Sequence, residues 1–153
     1  MDNLILKHDL WVVVADGERA LFLRNEGGAK HPDFQVADEM ERENPATREQ
    51  GTERPRRYSD GPSPHNSAFA ETDWHRLSKE RFADDVARRL YRSVHQGRIE
   101  ELVLVAPPQI LGALRKKLHK EVGARVKAEF ARTLTNQSVR DIEAVLGSRS
   151  VAP

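Results

Sequence analysis

Apolar residues fall into two rhythms along this chain. Leu10-Trp-Val-Val-Val-Ala15 is an unbroken β-branched and aromatic run. It is too short for a helix and apolar on both faces, which predicts a central strand. Asp16-Gly17 follows as a tight-turn signal before a second strand, Arg19-Ala-Leu-Phe-Leu-Arg24. Gly27-Gly28 breaks the chain, and a third strand runs from about Phe34 to Met40. There Phe34, Val36 and Met40 alternate with Gln35, Ala37 and Glu39, as one half-buried face requires. These three strands predict an antiparallel meander.

Further on, the period lengthens. From Trp74 to about Gln96, Leu77, Phe82, Val86, Leu90 and Val94 recur at helical spacing, with Ala83 and Ala87 beside them and arginines largely opposite. Gly97 is placed to end this long amphipathic helix. Leu102-Val-Leu-Val-Ala106 reads as another buried strand, and Pro108 opens a helix whose apolar stripe is Ile110, Leu111, Leu114 and Leu118. Arg125–Ala131 puts Val126, Ala128 and Phe130 on one face and charges on the other, which suits a protected edge strand. Ser138, three positions before Asp141, caps a last helix bearing Val139, Ile142, Val145 and Leu146. A strand, a long helix and a strand imply a right-handed parallel crossover, so the first and fourth strands lie side by side. The expected α/β fold is therefore a five-stranded mixed sheet of order 3-2-1-4-5 with helices packed on it, the ribonuclease H-like arrangement.

At 153 residues the chain supports one core, so a single domain over 1–153 is expected, interrupted by a mobile loop over 41–72. Within that loop Glu43–Asn66, ENPATREQGTERPRRYSDGPSPHN, mixes Arg, acid and Pro. Cysteine is absent, which removes disulfide and thiolate chemistry. Met1–Lys7 lacks the basic and apolar regions of a secretory signal, and Leu10–Ala15 cannot span a bilayer; a cytoplasmic protein with no membrane span is expected. Net charge is +1 but unevenly spread: residues 1–42 carry five Lys/Arg against nine Asp/Glu, and residues 98–132 eight against four. A basic edge facing phosphate and a merely solvated surface both fit that split.

Four segments carry a family resemblance. LVLVAPPQILGALRKKL (Leu102–Leu118), WVVVADGERALFLRN (Trp11–Asn25), ERFADDVARRL (Glu80–Leu90) and EFARTLTNQSVRDIEAVL (Glu129–Leu146) resemble the bacterial host-attachment protein family. That family in turn is similar to the central domain of eukaryotic and archaeal peptide-chain release factors and Pelota-type rescue factors. The shared features are three strands, an exposed loop, a basic helix with a Phe-Ala pair, here Phe82-Ala83, and a buried Leu-Val-Leu strand. In release factors the exposed loop carries Gly-Gly-Gln into the peptidyl-transferase centre, the glycines freeing the backbone and the amide positioning water. Gly-Gly-Gln is absent here. Gln50-Gly51 has the reverse order without a second glycine, and Gly27-Gly28 is followed by Ala29 in a turn between strands. Ala131-Arg-Thr-Leu-Thr135 also departs from the family's usual Lys-Asp-Leu-Thr, which puts a local contact after the fifth strand in doubt.

The remaining chemistry is thin. A two-metal nuclease needs converging carboxylates, and Asp9, Asp16, Asp84 and Asp85 are available, but the fourth strand ends Val105-Ala-Pro-Pro108 without an acid. Asp16 is better explained by its turn, and fold alone confers no activity. The six histidines show no close ligand spacing, His65 and His75 being the least distant pair around the loop exit. Arg54-Pro-Arg-Arg-Tyr58 is sharper: guanidinium forks match phosphate oxygens and Tyr stacks on an unpaired base. The acids Glu43, Glu49, Glu53 and Asp60 offset the loop's arginines, so an ordinary solvated loop also fits. The expectation is a non-enzymatic binding module without cofactor or metal, contacting ribosome or structured RNA through Arg54, Arg56, Arg57 and Tyr58, with Arg115, Lys116 and Lys117 in support. The alternatives are a protein-protein interaction factor in attachment to host cells and a degenerate peptidyl-tRNA hydrolase. Nothing in the sequence sets the oligomeric state.

Overall fold

The computed structural model describes residues 4–42 and 64–149, with backbone alone for 64–73. Successive residues of β1 (Trp11–Ala15) enter different apolar clusters: Trp11, Val13 and Ala15 on one face, Val12 and Val14 on the other. β4 (Leu102–Ala106) does the same and pairs with β1 in parallel, from Trp11 beside Leu102 to Val14 beside Val105. Burial on both faces is why these two strands are continuous apolar runs. β2 (Arg19–Asn25) and β3 (Phe34–Glu41) extend the sheet antiparallel on one side, and β5 (Val126–Ala131) extends it parallel on the other. The order is 3-2-1-4-5, as the pattern predicts.

Two layers of helix enclose the sheet. α1 (Pro64–His95), α2 (Pro108–Lys117) and α3 (Lys120–Gly123) cover the face of Trp11 and Leu104, with Phe82, Val86, Leu90 and Leu114 filling the interface. The other face is closed by α4 (Val139–Ser148) through Ile142 and Leu146, together with Leu4, Leu6 and Leu10 of the N-terminal segment. Ser138 caps α4 as expected, its Oγ accepting the Asp141 N–H at 3.1 Å. Gly97 ends α1 in the left-handed region at φ 79°; its N–H donates to Val94 and the Arg98 N–H to Ser93, which is a Schellman closure.

The structure corrects the sequence pattern in several places. Phe34, Val36 and Met40 do not share a face: Phe34 packs with Leu23 and Ile142, whereas Met40 packs on the α1 side. Pairing slips between Phe22 and Leu23, opposite Asp38 and Val36, so Ala37 is an extra residue that rotates the rest of β3 by one position. β5 repeats the device. Leu102 pairs with Val126 but Val103 with Ala128, and Val126 packs on the α2 side while Ala128 and Phe130 pack on the α4 side. α1 begins at Pro64, not Trp74, so 64–72 is helix rather than loop, and Glu41 still belongs to β3. Pro64 has its φ pre-set for the first helical position, which explains the earlier start. The sequence also gave no sign of α3, where the His119 ring accepts the Glu121 N–H at 3.0 Å.

A fully buried polar residue, Asn25, holds the β2–β3 connection to the N-terminal segment. Its Oδ1 accepts the N–H groups of Gly27 at 3.0 Å and Asp33 at 2.8 Å, and its Nδ2 donates to the carbonyls of Leu6 at 2.8 Å and Lys7 at 2.9 Å. At the outer side of β3, Glu143 of α4 accepts the Phe34 N–H at 2.7 Å.

Candidate functional site

The carboxyl ends of β1 and β4 form the edge where the 43–63 segment attaches. β3 finishes beside the β1–β2 turn, Glu41 pairing with Arg19, and the Arg42 N–H donates to the Glu18 carbonyl at 2.7 Å. α1 must return from this edge to the amino end of β4. Its 32 residues span about 48 Å, against about 17 Å for a five-residue strand. The surplus is at its start: Trp74 to Leu77 are exposed, and core packing begins only at Phe82. Arg42 is largely buried at the root of the segment, with Nε and Nη1 lacking a partner among the described residues.

Asp16 organises this edge. Its Oδ1 accepts the N–H groups of Glu18 and Arg19, both at 2.7 Å, and its Oδ2 accepts the hydroxyl of buried Thr135 at 2.6 Å. Burial pushes the carboxyl upward, but the hydrogen bonds from Thr135, Glu18 and Arg19 and the charge of Arg19 outweigh it, so its pKa is lowered. Asp16 is thus ionised at neutral pH and a weak base. Gly17 does not use the left-handed region; its lack of a side chain makes room for Lys79 of α1, since a Cβ would lie 2.8 Å from Lys79 Cγ. The segment after β5 is thus tied to the β1–β2 turn through Thr135.

Between this turn, Lys79, the Pro107–Ile110 start of α2 and Asn136 lies a cavity of about 740 Å³. Its wall mixes Glu18 with Arg19 and Lys79, and offers the amides of Gln109 and Asn136. A second cavity, about 530 Å³, separates Met40 and Arg42 from Trp74, Arg81 and Asp85. Open α/β sheets bind ligands at the carboxyl ends of their strands, and these walls can hold a polar surface by amide and ion-pair contacts.

The sequence-predicted residues are divided by this geometry. Arg54, Arg56, Arg57 and Tyr58 lie outside the described residues, as do Gln50 and Gly51. Arg115, Lys116 and Lys117 end α2 at the opposite edge, because α2 returns there to feed parallel β5. Arg115 Nε and Nη2 donate to Glu129 Oε1 at 2.7 and 2.6 Å, and Lys117 lies close enough to Asp84 to lower that acid's pKa, secondary to the hydrogen bond from Arg88. The nuclease carboxylates are likewise scattered. Asp9 sits at the amino end of β1 in a left-handed conformation, φ 70°, held by Arg24, while Asp84 and Asp85 face Arg88 on the surface of α1. No group of three or more His, Asp or Glu among the described residues is arranged around a metal ion. Histidines 95 and 119, far apart in sequence, do meet across Tyr91, with ring centroids 5.4 and 4.4 Å from it. Thr135, Lys79 and Asn136 were missed by the sequence reading; the sole hint was Gly17, a small residue where a helix passes.

The five-stranded α/β topology is consistent with a match to the family described as bacterial archaeo-eukaryotic release factor family 12, over residues 9–146. The chain belongs to this release factor family. The match spans β1 through α4 and includes the 43–63 segment, leaving out the leucines that precede Asp9. No curated protein matches the sequence. No helix among the described residues is long and apolar enough to cross a membrane.

The Asp16–Thr135 contact can be measured directly. Since the folded-state pKa of Asp16 is lowered, its stabilisation is complete above about pH 4 and fades as pH falls further. Thr135→Val should cost about 1–2 kcal/mol at pH 7, and the gap to wild type should narrow through that acid range. Urea unfolding at a series of pH values reads this; a gap constant with pH would place the effect in packing instead.

Proposed function

We propose that the chain is a non-enzymatic binding module that engages the ribosome or structured RNA, with the 43–63 segment as its contact arm. The observation that carries this reading is membership of a release factor family by a chain whose inserted segment lacks Gly-Gly-Gln but carries Arg54, Arg56, Arg57 and Tyr58. Without paired glycines beside Gln50, the backbone freedom that lets an amide position water is lacking, while the phosphate-matching and base-stacking side chains remain. The overhang of α1 supports the reading, because it holds one end of the segment away from the sheet.

The decisive measurement is co-sedimentation with ribosomes, and binding to structured RNA, across a salt series. Replacing the three arginines by Ala should weaken binding and reduce the slope of log affinity against log salt by about 2. Unchanged affinity and slope would remove those residues from the interface.

A second reading is a protein-binding factor in attachment to host cells; its protein-binding part is supported by Trp74 and Leu77, exposed by 37% and 48% on the overhang. Exposed apolar side chains of this size mark protein contacts more than phosphate contacts. Partners captured equally before and after complete RNA digestion would favour it over the first.

A further inference from the structure

A third cavity, about 260 Å³, lies at the opposite edge of the sheet from the 43–63 attachment, between α1, β2 and β3. Three guanidinium side chains line it: Arg89, Arg92 and Arg98. The fold delivers them by two devices. Arg89 and Arg92 are neighbours on one helix face, three residues apart. Arg98 is turned back beside Ser93 by the Schellman closure at Gly97. On the facing strand the Ala37 bulge rotates Asp38 toward α1, where it pairs with Arg89. Arg92 and Arg98 have no acidic partner among the described residues.

Charge and hydrogen bonding agree on what fits. Three guanidinium groups against one carboxylate leave +2, and the carbonyl end of α1 subtracts roughly half a charge. The floor includes Trp11, itself buried, whose indole N–H has no hydrogen-bond partner among the described residues. An unspent buried donor is unfavourable, and an acceptor in the cavity would satisfy it. Ser93 and Gln96 add neutral donors. The volume is below the roughly 300–1,000 Å³ typical of sites that enclose whole cofactors, so it suits an anionic group rather than a complete nucleotide.

We propose that this cavity is a phosphate-binding site, in which Arg92 and Arg98 grip the oxygens, Arg89 is oriented by Asp38, and the Trp11 indole N–H donates from below. The site does not depend on the ribosome reading. Its phosphate belongs either to a nucleic-acid backbone or to a small phosphorylated ligand.

The test uses the full chain, isotope-labelled, titrated with inorganic phosphate at constant ionic strength. The indole N–H signal of Trp11 and the backbone amide of Arg98 should shift together and saturate. The Arg92→Ala/Arg98→Ala double variant, altered only at exposed positions, should bind about a hundredfold more weakly, near tenfold per charge-assisted contact, while keeping its unfolding midpoint. Trp11→Phe, which keeps an aromatic ring but removes the donor, should weaken binding less than the double variant. Displacement of phosphate by single-stranded RNA assigns the site to a backbone phosphate. Displacement by ribose 5-phosphate alone assigns it to a small ligand, and displacement by neither leaves inorganic phosphate as the occupant. Signals that stay fixed up to tens of millimolar phosphate, or that shift equally in the double variant, overturn the proposal.

Discussion

Asn25→Ala is expected to lower the unfolding free energy by about 3 kcal/mol, more than truncation of any exposed side chain. The substitution removes little apolar surface. It strands the N–H groups of Gly27 and Asp33 and the carbonyl of Leu6, while the Lys7 carbonyl keeps only the Leu10 N–H at 3.1 Å. Each buried group left without a partner is unfavourable by about 1–3 kcal/mol, and water entering the gap limits the total. Asp at this position should not rescue, because a carboxylate keeps both acceptor bonds but cannot donate to either carbonyl. Urea unfolding measures both variants. A loss below about 1 kcal/mol for Ala, or full stability for Asp, would show that the connection holds without this residue.

Deletion of Ala37 should be comparably damaging, by about 2–4 kcal/mol, although the residue itself contributes almost nothing to the core. Removing the extra position sends Asp38 away from Arg89 and Met40 away from the α1 face, or else forces β3 to slip along β2. Replacing Ala37 with Ser keeps the count of residues and should be nearly neutral. If deletion and replacement behave alike, the bulge has no role in fixing the register. The deletion should also abolish phosphate binding in the Arg89–Arg98 cavity, since Asp38 orients one of its walls.

These two residues illustrate what a sequence pattern conveys. β1 and β4 were legible because strands buried on both faces must be apolar throughout, and α4 because its cap, Ser138, and its stripe agree. The bulges were not. An inserted residue leaves composition and propensity unchanged, and only the partner strand reveals that alternation has changed phase. Asn25 was invisible for a related reason: a polar residue beside Glu26, Gly27 and Gly28 looks like part of a solvated turn. The candidate site was hidden by topology, since Asp16 and Thr135 are 119 positions apart and neither is unusual in its own segment. The Arg54–Tyr58 group stood out in the sequence, whereas Arg115 to Lys117 read as a free basic cluster although the sheet gives Arg115 an acidic partner.

Both bulges lie on the outermost strands, and this limits how the molecule can meet others. A regular outer strand is a template that accepts another strand by backbone pairing, either from a peptide or from a second misfolded copy. β3 breaks its ladder at Ala37 and has the Phe34 N–H already taken by Glu143; β5 changes phase at Lys127 and exposes charge there. Neither border offers an even row of donors and acceptors. Association by strand addition, functional or aggregative, is thereby disfavoured at both ends, which leaves side chains on helices and loops to choose the partner.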